Sequence, residues 1–477
     1  MDFSTMTREQ IDKVVLRLIN VTKLSHGRTQ ILTPVTEITD ENVVDVLRKA
    51  LGTFKKNAAE SNSLYDYYRG IQPILFRIKT ERPEITNVVL ENRAYEIVTF
   101  KTGRFLYKDI VYTNRSEDYI DEVDRLNRMM YSEDKAGKDR ELVNWFHIAG
   151  TAYRLVVDSQ DEGAPFHIYS IDPRRAFVVY ADTVEKTPML GVYETVWEDS
   201  KKRKHTTYTA YTKNKVYQIE NNTILDGQTR EHILGDVPLV EYPANLARLG
   251  AFEVVLSLLD AINNAQSNRM DGVEQFIQAL LVFKGFNMSD ADIANLRREG
   301  AIMLPKDTDM DYLTNELNQE QTQTLVDDLY QAVLTICGMP NRNGKSSTSD
   351  NKGAVVLRDG WSAAATAVKD TKQYFSSSER RMLKMVLEAF NTYRDAEDAT
   401  RKPLRLEDIE IHFDEGEYEN MQEKSQVFTT LVNSGHVHPK DAFVFSNITN
   451  DPEAAYINGK QYHDEIAAKE VAELNNV

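Results

Sequence analysis

The chain has 477 residues, 41% hydrophobic and 27% charged, the composition of a packed chain and not of a disordered one; at roughly 150 residues per domain it holds about two to four domains. No run approaches the ~18–20 uncharged apolar residues of a membrane span, the opening MDFSTMTREQIDKVV lacks the order of a signal peptide, and the single cysteine, Cys337, excludes an internal disulfide and any two-thiolate site. The net charge of −17 argues against tight static binding of nucleic acid, which phosphate neutralisation drives, though not against a wall that DNA slides past without sticking.

Residues 1–60 read as helical. Ile11, Val14, Val15, Leu18 and Ile19 recur at helical spacing, as do Val43, Val46, Leu47 and Ala50, with Thr39 and Asp40 as N-caps of the second helix. From Tyr65 the texture changes. LYDYYRGIQPILFR mixes aromatics with Gly70 and Pro73, and VVLENRAYEIVTFKTGRFLYKDIVY carries β-branched and aromatic runs around a turn at Gly103. Asp118 to Met130 reads as a helix with Ile120, Val123, Leu126 and Met130 on one face, and Leu142 to Ala152 as another. Residues 153–242 are strand-rich, with turns at the short intervals of antiparallel pairing. The basic tract KKRKH at 201–205 is expected to be a hairpin turn between Trp197 and Tyr208 in preference to a nucleic-acid patch.

Pro238 and Pro243 mark a boundary. Asn245 to Ala279 then reads as one helix of roughly 50 Å, with Leu249, Phe252, Leu256, Leu259, Ile262, Met270, Val273 and Ile277 as its apolar positions. Ser257, Asn263, Asn264, Gln266, Ser267 and Asn268 occupy its other faces, a pattern for a helix packed on copies of itself and lining something wet. Residues 280–318 form a compact insertion of strands (LLVFKG, AIMLP, MDYLT) around a short helix capped by Ser289 and ended by Gly300. Asn318 and Gln321 open a helix to Cys337 that stops at Gly338, with Pro340 beyond. Residues 339–353 are the most polar stretch, expected to be mobile, and hold Arg342, Lys345 and Lys352. A second long helix follows from Ala354 to Arg394, then a strand from Leu406 to Phe413. The tract 405–423 sets eight carboxylates against Arg405, and the last ~60 residues read as helical with breaks at Gly435, Pro439 and Pro452.

Gly338 to Ser346 ends in Gly-Lys-Ser, as a nucleotide-binding phosphate loop does. Five residues separate Gly338 from Gly344 where that loop has four, and the preceding DDLYQAVLTIC has helical spacing where a buried strand is required. His436 and His438 are close but lack further ligands at metal spacing. Cys337 reads as a buried structural thiol, in keeping with a reducing cytoplasm. No catalytic frame, metal site or cofactor site emerges.

The order of these elements, together with LYDYYRGIQPILFR, NRAYEIVTFKTGRFLYKDIVY and IDPRRAFVVYAD with its Asp172-Pro173, resembles the portal protein family of long-tailed bacteriophages, specifically its branch in phages of Gram-positive hosts. The resemblance implies an α+β, portal-like fold with an α/β wing, a two-helix stem, a small α/β clip, a long spine helix and a helical crown. The wing would comprise residues 1–244 and 354–415, the stem helices 245–279 and 319–337, the clip 280–318, the tunnel loop 338–353 and the crown 416–477. It implies a homo-oligomeric ring of about twelve subunits at a capsid vertex of the virion, assembled in the host cytoplasm. Double-stranded DNA would pass through it without sequence specificity. Terminase, a head–tail adaptor, and the major capsid and scaffolding proteins would be its partners, with no membrane and no enzymatic activity. On this reading Arg342, Lys345 and Lys352 touch the DNA backbone, with Asn341, Asn343 and Asn351 as neutral partners, and Lys284, Arg297, Arg298 and Lys306 serve partner binding on the clip. The alternatives are a nucleotide hydrolase using residues 338–346, or another ring- or filament-forming structural protein.

Overall fold

A computed structural model describes residues 27–79, 82–161, 164–277, 280–284, 309–313, 319–341, 350–392, 402–413, 421–446, 448–449 and 452–474. The fold is mixed α+β and divides into two compact units, one of residues 1–25, 66–95 and 253–344, the other of 26–65, 96–252 and 345–477.

The larger unit is layered. Helix α1 (Val43–Tyr68) buries Val43, Val46, Leu47, Ala50 and Phe54, one helical face, against Phe177, Val179, Leu190, Val192, Tyr217 and Ile219. Those residues belong to a seven-stranded sheet made of β1 (Ile31–Thr33), β5 (Ala176–Ala181), β6 (Pro188–Glu198), β7 (Lys204–Tyr211), β8 (Lys215–Glu220), β9 (Thr223–Ile224) and β10 (Arg230–Glu231). Its order is β1-β5-β6-β7-β8-β10, with β9 on β8. Only the β1–β5 pairing is parallel, so the antiparallel expectation for 153–242 is met. Strand β5 is buried on both faces. Its alternate residues Ala176 and Val178 pack with Tyr153, Leu155 and Leu239 of a second sheet, ordered β11-β3-β4, from β3 (Thr151–Asp161), β4 (Ala164–Ile171) and β11 (Leu239–Pro243). At Gly191 the two sheets approach closely: a Cβ there would lie 2.6 Å from the Leu239 Cβ.

The far face of this second sheet presents Ala152, Val156, Phe166, Ile168, Val240 and Tyr242 to helices. These are α3 (Ile120–Ser132), α4 (Lys135–Ala149) and the 43-residue α7 (Asp350–Thr392), whose Phe375, Met382, Met385, Val386 and Ala389 fill the centre. Strands β2 (Val111–Asn114) and β14 (Ile409–His412) form an antiparallel ribbon beside them. The outer edge of β2 is closed by Asn127, whose side-chain amide accepts from and donates to the Tyr112 backbone. The outer edge of β4 is closed by Glu133, which accepts the Ile168 N–H. Three helices end the chain: α8 (Met421–Asn433), α9 (Pro439–Ser446) and α10 (Pro452–Leu474). Pro439 and Pro452 are first helical residues, where a missing N–H costs nothing, so these breaks fall where expected.

Several expectations need correction. Arg93–Phe105 is a helix, α2, not strands about a Gly103 turn. Its Ala94, Ile97, Val98 and Phe105 are buried at helical spacing, and that period outweighs the β-branched composition. The helix expected over 142–152 is α4, starting at Lys135 and ending at Ala149, because Gly150 adopts φ +75° and terminates it. Asp40 is no N-cap: its carboxylate binds Tyr217 and Lys215, and the Thr39 carbonyl receives the Val43 N–H. The helix expected over 245–279 is α5, Leu256–Ile277, or roughly 33 Å. Leu249 and Phe252 precede it, outside the helix. The expected helix at Ile11–Ile19 lies outside the described residues.

In the smaller unit, α5 leads to β12 (Leu280–Lys284), which pairs antiparallel with β13 (Asp309–Leu313). Helix α6 (Gln319–Ile336) returns along α5, with Arg269 Nη1 donating to Gln323 Oε1 at 2.6 Å. The short helix at Ser289–Gly300, the strand AIMLP and the Asn318 cap fall outside the described residues.

Candidate functional site

Of the six polar residues expected on the wet faces of α5, Ser257, Asn264 and Asn268 are exposed and Gln266 is half-buried, but Asn263 and Ser267 are turned inward. Asn263 and Ser267 are fully buried and Asp271 nearly so. They face an extended segment, residues 85–92, which runs along the helix as a strap. Asp271 Oδ1 accepts the Asn87 N–H at 2.7 Å, Ser267 Oγ the Val89 N–H at 3.0 Å, and Asn263 Oδ1 the Glu91 N–H at 2.8 Å. The match is geometric. Four helical residues rise about 6 Å and two extended residues about 6.6 Å, so every fourth side chain meets every second amide.

Both ends of the strap are fastened. Asp271 also takes Arg77 at 2.9 Å and Lys79 at 3.0 Å. Burial opposes its ionisation, but the Asn87 amide and the two cations hold its carboxyl below the ordinary range. At the other end, Asn263 Nδ2 donates to the fully buried Gln72, and Gln72 Nε2 donates to Asn92 Oδ1. One turn earlier, Tyr67 donates to Asp260 at 2.8 Å; burial pushes the Asp260 carboxyl up to about 6. On α6, Tyr330 carries the Arg93 guanidinium 4.1 Å above its ring. The result is a helical pair with a polar, pre-satisfied spine.

The residues expected to meet DNA come next in the chain. Helix α6 ends at Ile336, Gly338 follows at φ +61°, and the Asn341 side chain donates to Gln331 one helix away from the polar stretch. Asn341 is therefore tied to the helix end. Arg342, Asn343 and Lys345 lie outside the described residues. Asn351 and Lys352 belong to the first turn of α7 and not to a loop, because the helix starts at Asp350, ahead of the expected Ala354. Helix α6 stands where a phosphate loop needs a strand, which removes the structural setting of the Gly-Lys-Ser motif.

Of the residues expected to bind partners, Lys284 ends β12 opposite Asp309; Arg297, Arg298 and Lys306 lie outside the described residues. Among the described residues no group of three His, Cys, Asp or Glu side chains could hold a metal ion. His438 instead packs its ring on Tyr456 and accepts the Lys440 N–H.

The larger unit holds a polar cluster that composition does not announce. Glu379 of α7, wholly buried, accepts from Tyr112 at 2.8 Å and Tyr242 at 2.7 Å and pairs with Lys135 at 2.9 Å. Lys135 also reaches Asp139, which pairs with buried Arg154 at 2.7 Å. The Arg154–Asp139 approach has ion-pair distance but not hydrogen-bond alignment, so charge holds this arginine. Burial opposes ionisation of Glu379, yet Lys135 and Arg154 hold its carboxyl well below the ordinary range. Two acids and two bases balance, and they tie α7 to β3, β11, β2 and α4. Glu241 makes a second tie, to Arg248 at 2.7 Å and Tyr180 at 2.6 Å.

A family model described as phage portal protein, SPP1 Gp6-like, matches residues 49–470. No curated protein matches the chain. Among the described residues no helix is long and apolar enough to cross a membrane.

Proposed function

Because the chain belongs to the SPP1 Gp6-like family of phage portal proteins, we propose that it is the ring-forming subunit at a capsid vertex through which double-stranded DNA is packaged and ejected. The observation that carries this reading is the family match over 49–470. The antiparallel α5–α6 pair supports it, since a strand pair joins the helices at one end and a cationic polar segment follows at the other. On this reading α5 and α6 are the stem, residues 280–318 the clip, 338–353 the tunnel segment, α7 the spine and 416–477 the crown.

Arg342, Lys345 and Lys352 give weak, adjustable phosphate contacts around moving DNA, and Asn341, Asn343 and Asn351 give neutral ones. The acidic remainder keeps DNA from adhering. Lys284, Arg297, Arg298 and Lys306 serve terminase and the head–tail adaptor on the clip. The chain acts as structure and conduit, not as an enzyme; hydrolysis of nucleotide by the pure protein would point to the alternative instead.

Negative-stain microscopy of the full chain tests the ring: rotationally symmetric particles with a central hole are expected, and filaments or monomers alone overturn it. The channel assignment is tested separately. An R342S/K345S/K352S variant is expected to assemble but to package DNA poorly in an in vitro assay, and unchanged packaging rejects the role of these cations.

A further inference from the structure

The β6–β7 hairpin projects a cationic tip whose geometry is fixed from within. Asp199 Oδ1 accepts the N–H groups of Lys201 at 2.8 Å and Arg203 at 2.9 Å, and its Oδ2 holds the Arg203 side chain at 2.8 Å. Lys202 takes a left-handed φ of +57° at the turn. Behind the tip, His205 lies flat on Trp197 with ring centroids 4.5 Å apart. Its two nitrogens meet Glu220 at 2.8 Å and Asp199 at 3.3 Å, and these hydrogen bonds raise the imidazole's pKa above its ordinary value. Trp197 Nε1 donates to Thr207. The tip's own acid is thus consumed in holding the turn.

Lys201, Lys202 and Lys204 are exposed, and none forms an ion pair among the described residues. Glu198 faces Lys204 across the ladder without pairing to it. Beside them Val196 and Trp197 stand 42% and 45% exposed. A pre-organised surface of this kind loses little conformational entropy on docking.

We propose that this tip docks on the acidic surface of a second copy of this chain, the neighbouring subunit of the ring; the inference rests on the ring reading above. Charge complementarity carries it: three exposed lysines without an ion pair among the described residues stand on one turn, and the chain carries 74 Asp and Glu against 57 Lys and Arg, so an identical neighbour offers a surplus of carboxylates. A closed ring needs a head-to-tail interface, in which one patch meets a different patch of the next copy. Duplex DNA is the weaker occupant. Three cations give low affinity at physiological salt, and the body of the chain repels phosphate. A ring neighbour is held at high effective concentration, where a few exposed ion pairs suffice.

The test uses the full chain with K201E, K202N and K204E combined; asparagine suits the left-handed position. Mass photometry from low to high salt reads the assembled fraction, and circular dichroism checks the fold. The parent is expected to form rings that weaken with salt, and the variant to associate roughly tenfold more weakly at low salt. Should the reversed charges disturb the fold, K201Q, K202N and K204Q together make the same comparison. Rings of equal yield and equal salt response in parent and variant overturn the proposal and leave the ring reading intact. A parent that forms no rings under any salt overturns both. Unchanged rings with lost retention of labelled duplex DNA overturn the proposal in favour of DNA.

Discussion

Asp260 and Asp271 lie on one helix and respond to burial in opposite ways. Asp271 has two cations and the Asn87 backbone amide about it, which hold it ionised; among the described residues Asp260 has the Tyr67 hydroxyl alone, and its carboxyl is raised from 3.8 to about 6. A folded-state pKa above the unfolded one means that the folded state binds the proton more tightly. The charged form of Asp260 therefore costs stability in full above pH 6, progressively less down to pH 4, and nothing below. An Asp260→Asn variant keeps an acceptor for Tyr67. It is expected to be more stable than the parent by roughly 1–2 kcal/mol at pH 7.5, with the gain vanishing by pH 4, as read by thermal unfolding at both pH values. Glu379→Ala has the other sign. It leaves the buried Lys135 and Arg154 to share Asp139, one positive charge in excess, so the urea midpoint is expected to fall by an amount equivalent to roughly 3–5 kcal/mol; a loss under 1 kcal/mol would mean that water reaches the cluster. Neither acid is distinguishable in the sequence from the exposed carboxylates around it, because what sets each apart is its partners, Tyr67 for Asp260 and Lys135, Tyr112 and Tyr242 for Glu379, all distant in the chain.

At the scale of elements, the strap makes the sharpest test. Residues 85–92 form no regular helix or strand, yet three of their amides are donated to α5. Amide exchange at Asn87, Val89 and Glu91 is expected to be slow, like that of sheet residues, and slower than at the exposed Val88. Ser267→Ala leaves the Val89 N–H without its acceptor and is expected to destabilise by about 1–2 kcal/mol, with faster exchange confined to the strap. Elements with a strong apolar period were legible: α1, α3 and the antiparallel strands follow directly from residues such as Val43, Val46, Leu47 and Val123, Leu126, Met130. Helix α2 was not, since its β-branched residues imitate strands. Among the polar residues of α5, Ser257, Asn264 and Asn268 are exposed as read, but Asn263 and Ser267 were misread, because with Asp271 they meet a strap that the sequence does not announce. The spacing of four among them was the available signal.

At the scale of the whole chain, the order of parts was more legible than any single site. Strand-rich region, helix, strand pair, helix and a second long helix stand in the order read from the sequence, and the family match spans all of them. The cationic residues of the polar segment were legible as residues, though Asn351 and Lys352 proved to be helical. The net charge of −17 also makes a global statement. The pure protein is expected to bind duplex DNA more weakly than about 10 μM at physiological salt, by fluorescence anisotropy; tight binding there would contradict DNA as a passing cargo.

The strap along α5 has one further consequence, for how its length can change. Its amides alternate, with odd-numbered residues 87, 89 and 91 facing the helix. Loss or gain of a single residue there would exchange the two sides and present Val88 and Leu90 to Ser267 and Asn263. A change of two would restore the same faces one helical turn along. Relatives of this chain are therefore expected to vary in strap length by even steps, and a one-residue deletion at Val88 to be far more damaging than removal of Val88 and Val89 together.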